Sequence, residues 1–214
     1  QNVMNKKLLG ILFIAVLAVA ATGLAFFVKH GDSKDARPYY GIYYGKDAPD
    51  FTLSDPAGNP VSISDFEGEE VLLTFGYTNC PDICPTTLSQ LNAVTEKLGP
   101  EGSKDLEVLF VTIDPERDTG KRLGEYVPYF NESFIGLTGS QDAIKKAADA
   151  YSVFYEREKR GDSEVAYFMN HTQTLFLINR SGKLLLLYPF ENFDADRIAA
   201  DIKLARKKDE TPPN

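Results

Sequence analysis

The chain has no tryptophan, two methionines, two histidines and two cysteines in 214 residues. Two cysteines cannot staple a small disulfide framework, so an apolar core must hold the domain together. Two methionines exclude a methionine-rich thioether metal carrier. There is no excess of basic residues: the formal net charge is −8, and −10 once Lys6 and Lys7 of the first 28 residues are set aside. Such a chain lacks the basic face that neutralises phosphates, which excludes a nucleic-acid-binding role. Low-complexity tracts and internal repeats are absent as well. What is present is 43% apolar and 25% charged residues, enough for one domain with a real core.

Residues 8–28 (LLGILFIAVLAVAATGLAFFV) carry no charge and are long enough to cross a bilayer as a helix. Lys6 and Lys7 precede them, which keeps residues 1–7 in the cytoplasm and sends the rest across. Ala18-Val19-Ala20 resembles a signal-peptidase site, but the apolar run continues beyond it, so a retained anchor is expected. The run is neither arginine-rich nor amphipathic, unlike a mitochondrial transit peptide. The expected placement is a bacterial inner membrane, crossed once, with the domain in the periplasm. Residues 29–47 read as a polar linker whose tyrosines (Tyr39, Tyr40, Tyr43, Tyr44) either lie at the membrane interface or form a short strand. The domain proper is expected over residues 48–208, followed by a flexible tail at 209–214.

Along the domain, residues 51–53 and 61–63 alternate around the turn sequence Asp55-Pro56-Ala57-Gly58-Asn59, predicting a hairpin. Residues 71–77 (VLLTFGY) and 106–113 (LEVLFVTI) are near-continuous apolar runs, as in central parallel strands. Leu88, Leu91, Val94 and Leu98 recur at helical spacing, with Gly99-Pro100 as the stop. Helices are also expected over about 119–130, around Ala143–Tyr151 and around Ile198–Ala205. A closing hairpin is expected from residues 172–178 and 184–187 across Asn179-Arg180-Ser181-Gly182. Strand–helix–strand order gives an α/β fold with a central mixed sheet flanked by helices. The closing hairpin and last helix are those of a thioredoxin-like domain.

Both cysteines fall in one window, Thr78-Asn79-Cys80-Pro81-Asp82-Ile83-Cys84-Pro85, where a buried strand ends and a helix begins. Ligand sites of open α/β sheets gather outside such strand ends. A helix N-terminus also lowers a thiol's pKa. Three readings stand side by side: a structural disulfide, a dithiol redox pair, and a metal site. The usual redox motif is C-x-x-C, and this window is C-x-x-x-C. A metal needs a further ligand. His30 abuts the apolar run; His171 precedes a buried strand, in a loop that lies beside the cysteine turn of a thioredoxin-like fold. Two thiolates and one imidazole suit Cu(I), and Cu(II) with an added weak ligand. Structural zinc would want a fourth protein ligand, and there is no third cysteine.

Four ordered blocks carry a family resemblance: residues 75–85 (FGYTNCPDICP), 111–119 (VTIDPERDT), 134–139 (FIGLTG) and the His171 segment. Over about Pro49 to Arg206 the chain resembles the Sco/SenC proteins, copper chaperones for the Cu(A) centre of cytochrome c oxidase. The resemblance implies a thioredoxin-like fold, Cys80, Cys84 and His171 as copper ligands, and an anchored domain on the outer side of the membrane. The partners it implies are oxidase subunit II and an upstream periplasmic copper donor. The alternatives to copper delivery are a thiol–disulfide reductase that keeps the Cu(A) cysteines reduced, with Cys80 and Cys84 as its redox pair, and a redox or copper sensor. The family usually has an acidic residue before the histidine; here Asn170 stands there, removing a nearby carboxylate. Asp118, with Glu116 and Arg117, is either an orienting group of the site or part of a solvated loop ion pair.

Overall fold

The computed structural model describes residues 39–159 and 167–209. The expected membrane span at residues 8–28 and the last five residues of the chain lie outside them. Among the described residues no helix is long and apolar enough to cross a membrane. The domain begins at Tyr39.

The run Glu70–Gly76 forms β4, and every one of its seven residues is buried. That burial follows from its place in a six-stranded mixed sheet of order β1-β10-β9-β4-β5-β6. The strands are β1 (Ile42–Asp47), β5 (Leu106–Thr112), β6 (Ile135–Leu137), β9 (Thr174–Ile178) and β10 (Lys183–Pro189). β4, β5 and β6 run parallel, while β9 is antiparallel to β4 and β10, and β10 to β1. Apolar side chains on both faces of β4 and β5 therefore meet helices or loops, which explains why these strands read as continuous rather than alternating runs. The hairpin β2 (Thr52–Ser54) and β3 (Pro60–Ser62) is closed by Asp55, whose carboxylate accepts from the N–H groups of Ala57 and Asn59, both at 2.8 Å.

Of the two readings of the tyrosines, the short strand is the one observed: Tyr43 and Tyr44 lie in β1, which pairs with β10 at the sheet edge, so the domain starts ahead of residue 48. A second difference concerns the first helix, α1 (Ile83–Ser103). It does break at Gly99, which adopts φ 74°, ψ 173°, but one more helical turn follows from Pro100, where proline's missing N–H costs nothing. The remaining helices are α2 (Gly120–Tyr126), α3 (Gln141–Ala150) and α4 (Ala195–Asp209), with Thr119 and Ser140 capping α2 and α3 through their hydroxyls. A third difference is an added two-stranded ribbon, β7 (Tyr155–Lys159) and β8 (Tyr167–His171), hydrogen-bonded as its own sheet.

At the end of β4 away from the cysteines, the Glu70 carboxylate is 1% exposed. It is held by Arg206 of α4 through two bonds of 2.9 Å and by Arg180 at 3.1 Å. Arg206 also donates to the Gly102 carbonyl at 2.7 Å, tying α4 to the end of α1. Truncating one partner of a buried pair leaves an uncompensated charge, which costs about 3–5 kcal/mol. Because Arg180 remains, Arg206→Ala should lose about 3 kcal/mol, read as a lower urea midpoint with unchanged slope.

Candidate metal and dithiol site

β4 runs out at Gly76, and the chain turns through Tyr77-Thr78-Asn79-Cys80 with the Cys80 N–H on the Tyr77 carbonyl at 3.2 Å. α1 starts three residues later. Its N-cap, Asp82, makes no side-chain capping bond. The cap acceptor is instead the Cys80 sulfur, which takes the Cys84 N–H at 3.4 Å. A thiolate there satisfies one of the free N–H groups of the helix start and sits at the positive end of its dipole. The two cysteines are free thiols, Cys80 half-buried and Cys84 buried. Space for the Cys84 sulfur exists because residue 76 is glycine: a Cβ there would lie 2.9 Å from that sulfur and 2.7 Å from the Phe110 ring.

His171 is the last residue of β8 and not a loop residue. The strand carries it to the cysteine turn, where its Nε2 lies 3.8 Å from the Cys84 sulfur. Its Nδ1 lies 2.9 Å from the Thr172 carbonyl. A carbonyl only accepts, so Nδ1 carries the proton and Nε2 presents its lone pair to the sulfur. Burial holds the imidazole below its ordinary range, in the neutral form that binds metals. Tyr77 stands edge-on to the His171 ring at 6.2 Å between centroids.

The thiols differ sharply. The Cys84 thiol donates to the Cys80 sulfur, and the backbone N–H groups of Cys84, Asp82 and Ile83 add to it, pulling Cys80 down to about 5. Retaining the shared proton and being buried push Cys84 well above its usual value. Cys80, His171, Asp82 and Glu158 line a cleft of about 310 Å³. Among the described residues, no three histidine, cysteine or acidic side chains form a ready-made metal cage. The Cys84–His171 spacing nonetheless fits one ion: thiolate and imidazole bonds of about 2.3 and 2.0 Å at a three-coordinate angle span roughly 3.7 Å.

The structure decides between the two readings of Asp118 and supplies a carboxylate beside Asn170. Asp118 is fully buried and makes no ion pair with Arg117. Arg117 pairs instead with Asp114 and stacks on the Tyr167 ring at 3.6 Å, while Glu116 pairs with Arg157 of β7 at 2.5 Å. Nor does Asn170 leave the cleft without a carboxylate. Glu158, across the ribbon, lines the cleft and accepts from the Asn170 amide at 3.1 Å. No local signal in the sequence brings residues 158 and 170 together; they are diagonal neighbours on the ribbon, where Glu156 is opposite Asn170 and Glu158 opposite Phe168.

A dithiol and an imidazole at the end of a parallel strand define an α/β protein built for thiol or soft-metal chemistry. The SCO1/SenC family model matches residues 45–206, and the chain belongs to this family. An SCO2-like protein of Rickettsia felis is 40% identical over 136 residues, 64% of this chain and 66% of that protein. The mitochondrial SCO2 homolog of Mus musculus is 37% identical over 155 residues, 72% of this chain and 60% of that protein. The chain thus spans just under two thirds of these relatives' length. Among solved structures, apo Sco1 from Thermus thermophilus superposes with TM-score 0.70 at 40% identity, covering 79% of this chain and 98% of that one. Arabidopsis thaliana ScoI, solved with copper bound, gives 0.69 at 32% identity, covering 75% and 98%. The central sheet flanked by helices is therefore the Sco thioredoxin-like fold.

A thiolate, not a thiol, is alkylated. With Cys80 depressed to about 5, its reactivity is present above that pH and lost below it. Iodoacetamide modification of Cys80 in the reduced protein should reach half its plateau rate near pH 5, while an unfolded control titrates near its ordinary value of about 8.5.

Proposed function

We propose that the domain is a copper carrier that binds its cargo through Cys80, Cys84 and His171 and delivers it to the Cu(A) centre of cytochrome c oxidase subunit II. The observation that carries this reading is the His171 Nε2 lone pair facing the Cys84 sulfur at 3.8 Å, with the tautomer set by Thr172. An inert histidine at a strand end would not need that arrangement. Two soft sulfurs and one imidazole favour copper over zinc, which prefers four protein ligands. A relative at 32% identity was solved with copper bound, and another, at 27%, is described as a member of the Sco family of cytochrome c oxidase assembly proteins. Both support the reading.

A carrier has to release its ion. The half-buried Cys80 lies on the open cleft, so an incoming thiolate can enter there before the buried Cys84 lets go. Loading requires both sulfurs reduced and deprotonated, which couples cargo uptake to redox state. The apolar run at residues 8–28 anchors the domain on the periplasmic side of a bacterial inner membrane, where an upstream donor supplies the copper. His171→Ala should weaken Cu(II) binding at least tenfold and change its absorption spectrum. Unchanged affinity and spectrum would sink the ligand assignment.

A second reading rests on the thiol asymmetry. An accessible, acidified Cys80 beside a buried, protonated Cys84 is the arrangement of an attacking and a resolving thiol, so the pair can also reduce the Cu(A) cysteines. In that role His171 is dispensable. Turnover of an oxidised subunit II fragment by metal-free protein, at equal rate in His171→Ala, is the outcome expected of a reductase; no turnover leaves carriage alone.

A further inference from the structure

The turn that delivers Cys80 is gripped by a group with no part in the chemistry above. The buried Asp118 carboxylate accepts from the Thr78 N–H at 2.9 Å, the Thr78 hydroxyl at 2.6 Å and the Thr112 hydroxyl at 2.7 Å. Thr78 and Asn79 are the central residues of the turn that ends at Cys80. A cation acts at one remove: Arg122 donates to the Thr78 hydroxyl at 3.1 Å and to the Asn79 side-chain oxygen at 3.3 Å.

Three donors converging on both oxygens suit an ionised carboxylate, since a protonated one would itself have to donate. Burial pushes the Asp118 carboxyl up, and the bonds from Thr78 and Thr112 oppose that. A charge so placed is poorly screened, and it is felt at Cys84. The site above it changes charge in use. Two thiolates around Cu(II) sum to zero; one added electron, giving Cu(I), leaves −1. In the metal-free protein the disulfide is neutral and the reduced pair with one thiolate carries −1.

We propose that Asp118 is the positioning and potential-setting residue of the dithiol site. It holds the Cys80 turn through Thr78, and its fixed charge favours the less negative member of each couple, Cu(II) over Cu(I) and disulfide over dithiol. The first couple rests on the copper reading; the second does not need it.

The test uses the full chain, wild type against Asp118→Asn. One arm titrates the copper-loaded protein with a one-electron mediator. The other equilibrates metal-free protein with glutathione, in which two glutathione thiols reduce the disulfide and leave as glutathione disulfide. Loss of the charge should move the copper equilibrium at least tenfold toward Cu(I), about 59 mV, and the thiol equilibrium at least tenfold toward dithiol, about 30 mV. A structural anchor alone predicts altered unfolding with both potentials unmoved, and that result overturns the proposal, as does a shift of opposite sign. If wild type binds no copper yet the glutathione arm shifts, the carrier function falls and the Asp118 role stands. Should Asp118→Asn fail to fold, the exposed Arg122 decides: Arg122→Gln removes the offsetting cation and should move both potentials the other way. No movement there also overturns the proposal.

Discussion

The bonds from Thr78 and Thr112 to the Asp118 carboxylate join the ends of the two central parallel strands, and the cysteine end of the molecule is built on that joint. β4 and β5 stop within reach of each other because they are paired in register up to Gly76 and Thr112. Backbone pairing ends there, so the next polar groups need other partners in a water-poor place. A single carboxylate supplies them. With the strand ends held, the chain must turn at Tyr77–Cys80, and the helix that follows points its N–H groups at the Cys80 sulfur. The low pKa of Cys80 is a consequence of this placement more than of the cysteine motif itself.

The site is assembled from two separate hydrogen-bonded units. The dithiol follows β4 of the six-stranded sheet, and the imidazole is on the two-stranded ribbon. What brings them together is a cluster on the far side of Tyr77. Tyr167 donates to Asp114 at 2.7 Å, and the guanidinium groups of Arg117 and Arg157 lie 3.6 and 4.7 Å from its ring centroid. Arg117 also donates to the Tyr167 carbonyl at 3.0 Å. Cation–π contacts and a buried carboxylate seat the ribbon together with the core packing of Tyr167 and Met169. The VTIDPERDT block therefore serves both halves of the site: Asp118 grips the cysteine turn, and Asp114 and Arg117 hold the ribbon that carries His171.

Much of the fold was legible because its signals are local. Continuous apolar runs marked β4 and β5, turn residues marked both hairpins, and helical spacing marked α1, α3 and α4. The ribbon was not legible. β7 reads Tyr-Glu-Arg-Glu-Lys, four of whose five residues are exposed, so no apolar alternation betrays a strand. β1 was ambiguous for a related reason: tyrosines suit a membrane interface and a sheet edge equally well, and only pairing with β10 decides between them. Asp118 stayed open between an orienting group and a loop ion pair because burial is a property of the neighbours that close over a residue, here Thr78 and Thr112, forty residues upstream and six upstream.

From the amino-acid sequence alone came the α/β class, the family resemblance, the two cysteines at a strand end and the histidine proposed as their third donor. These rest on residue identity and short-range pattern, which a sequence records directly. Tertiary structure alone decided which His171 nitrogen faces the sulfur, which thiol is acidic, that Glu158 and not residue 170 brings a carboxylate to the cleft, and that Asp118 is buried. Each of those depends on groups far apart in the chain meeting where water is excluded, and there a hydrogen bond or a charge acquires a weight that no local pattern encodes.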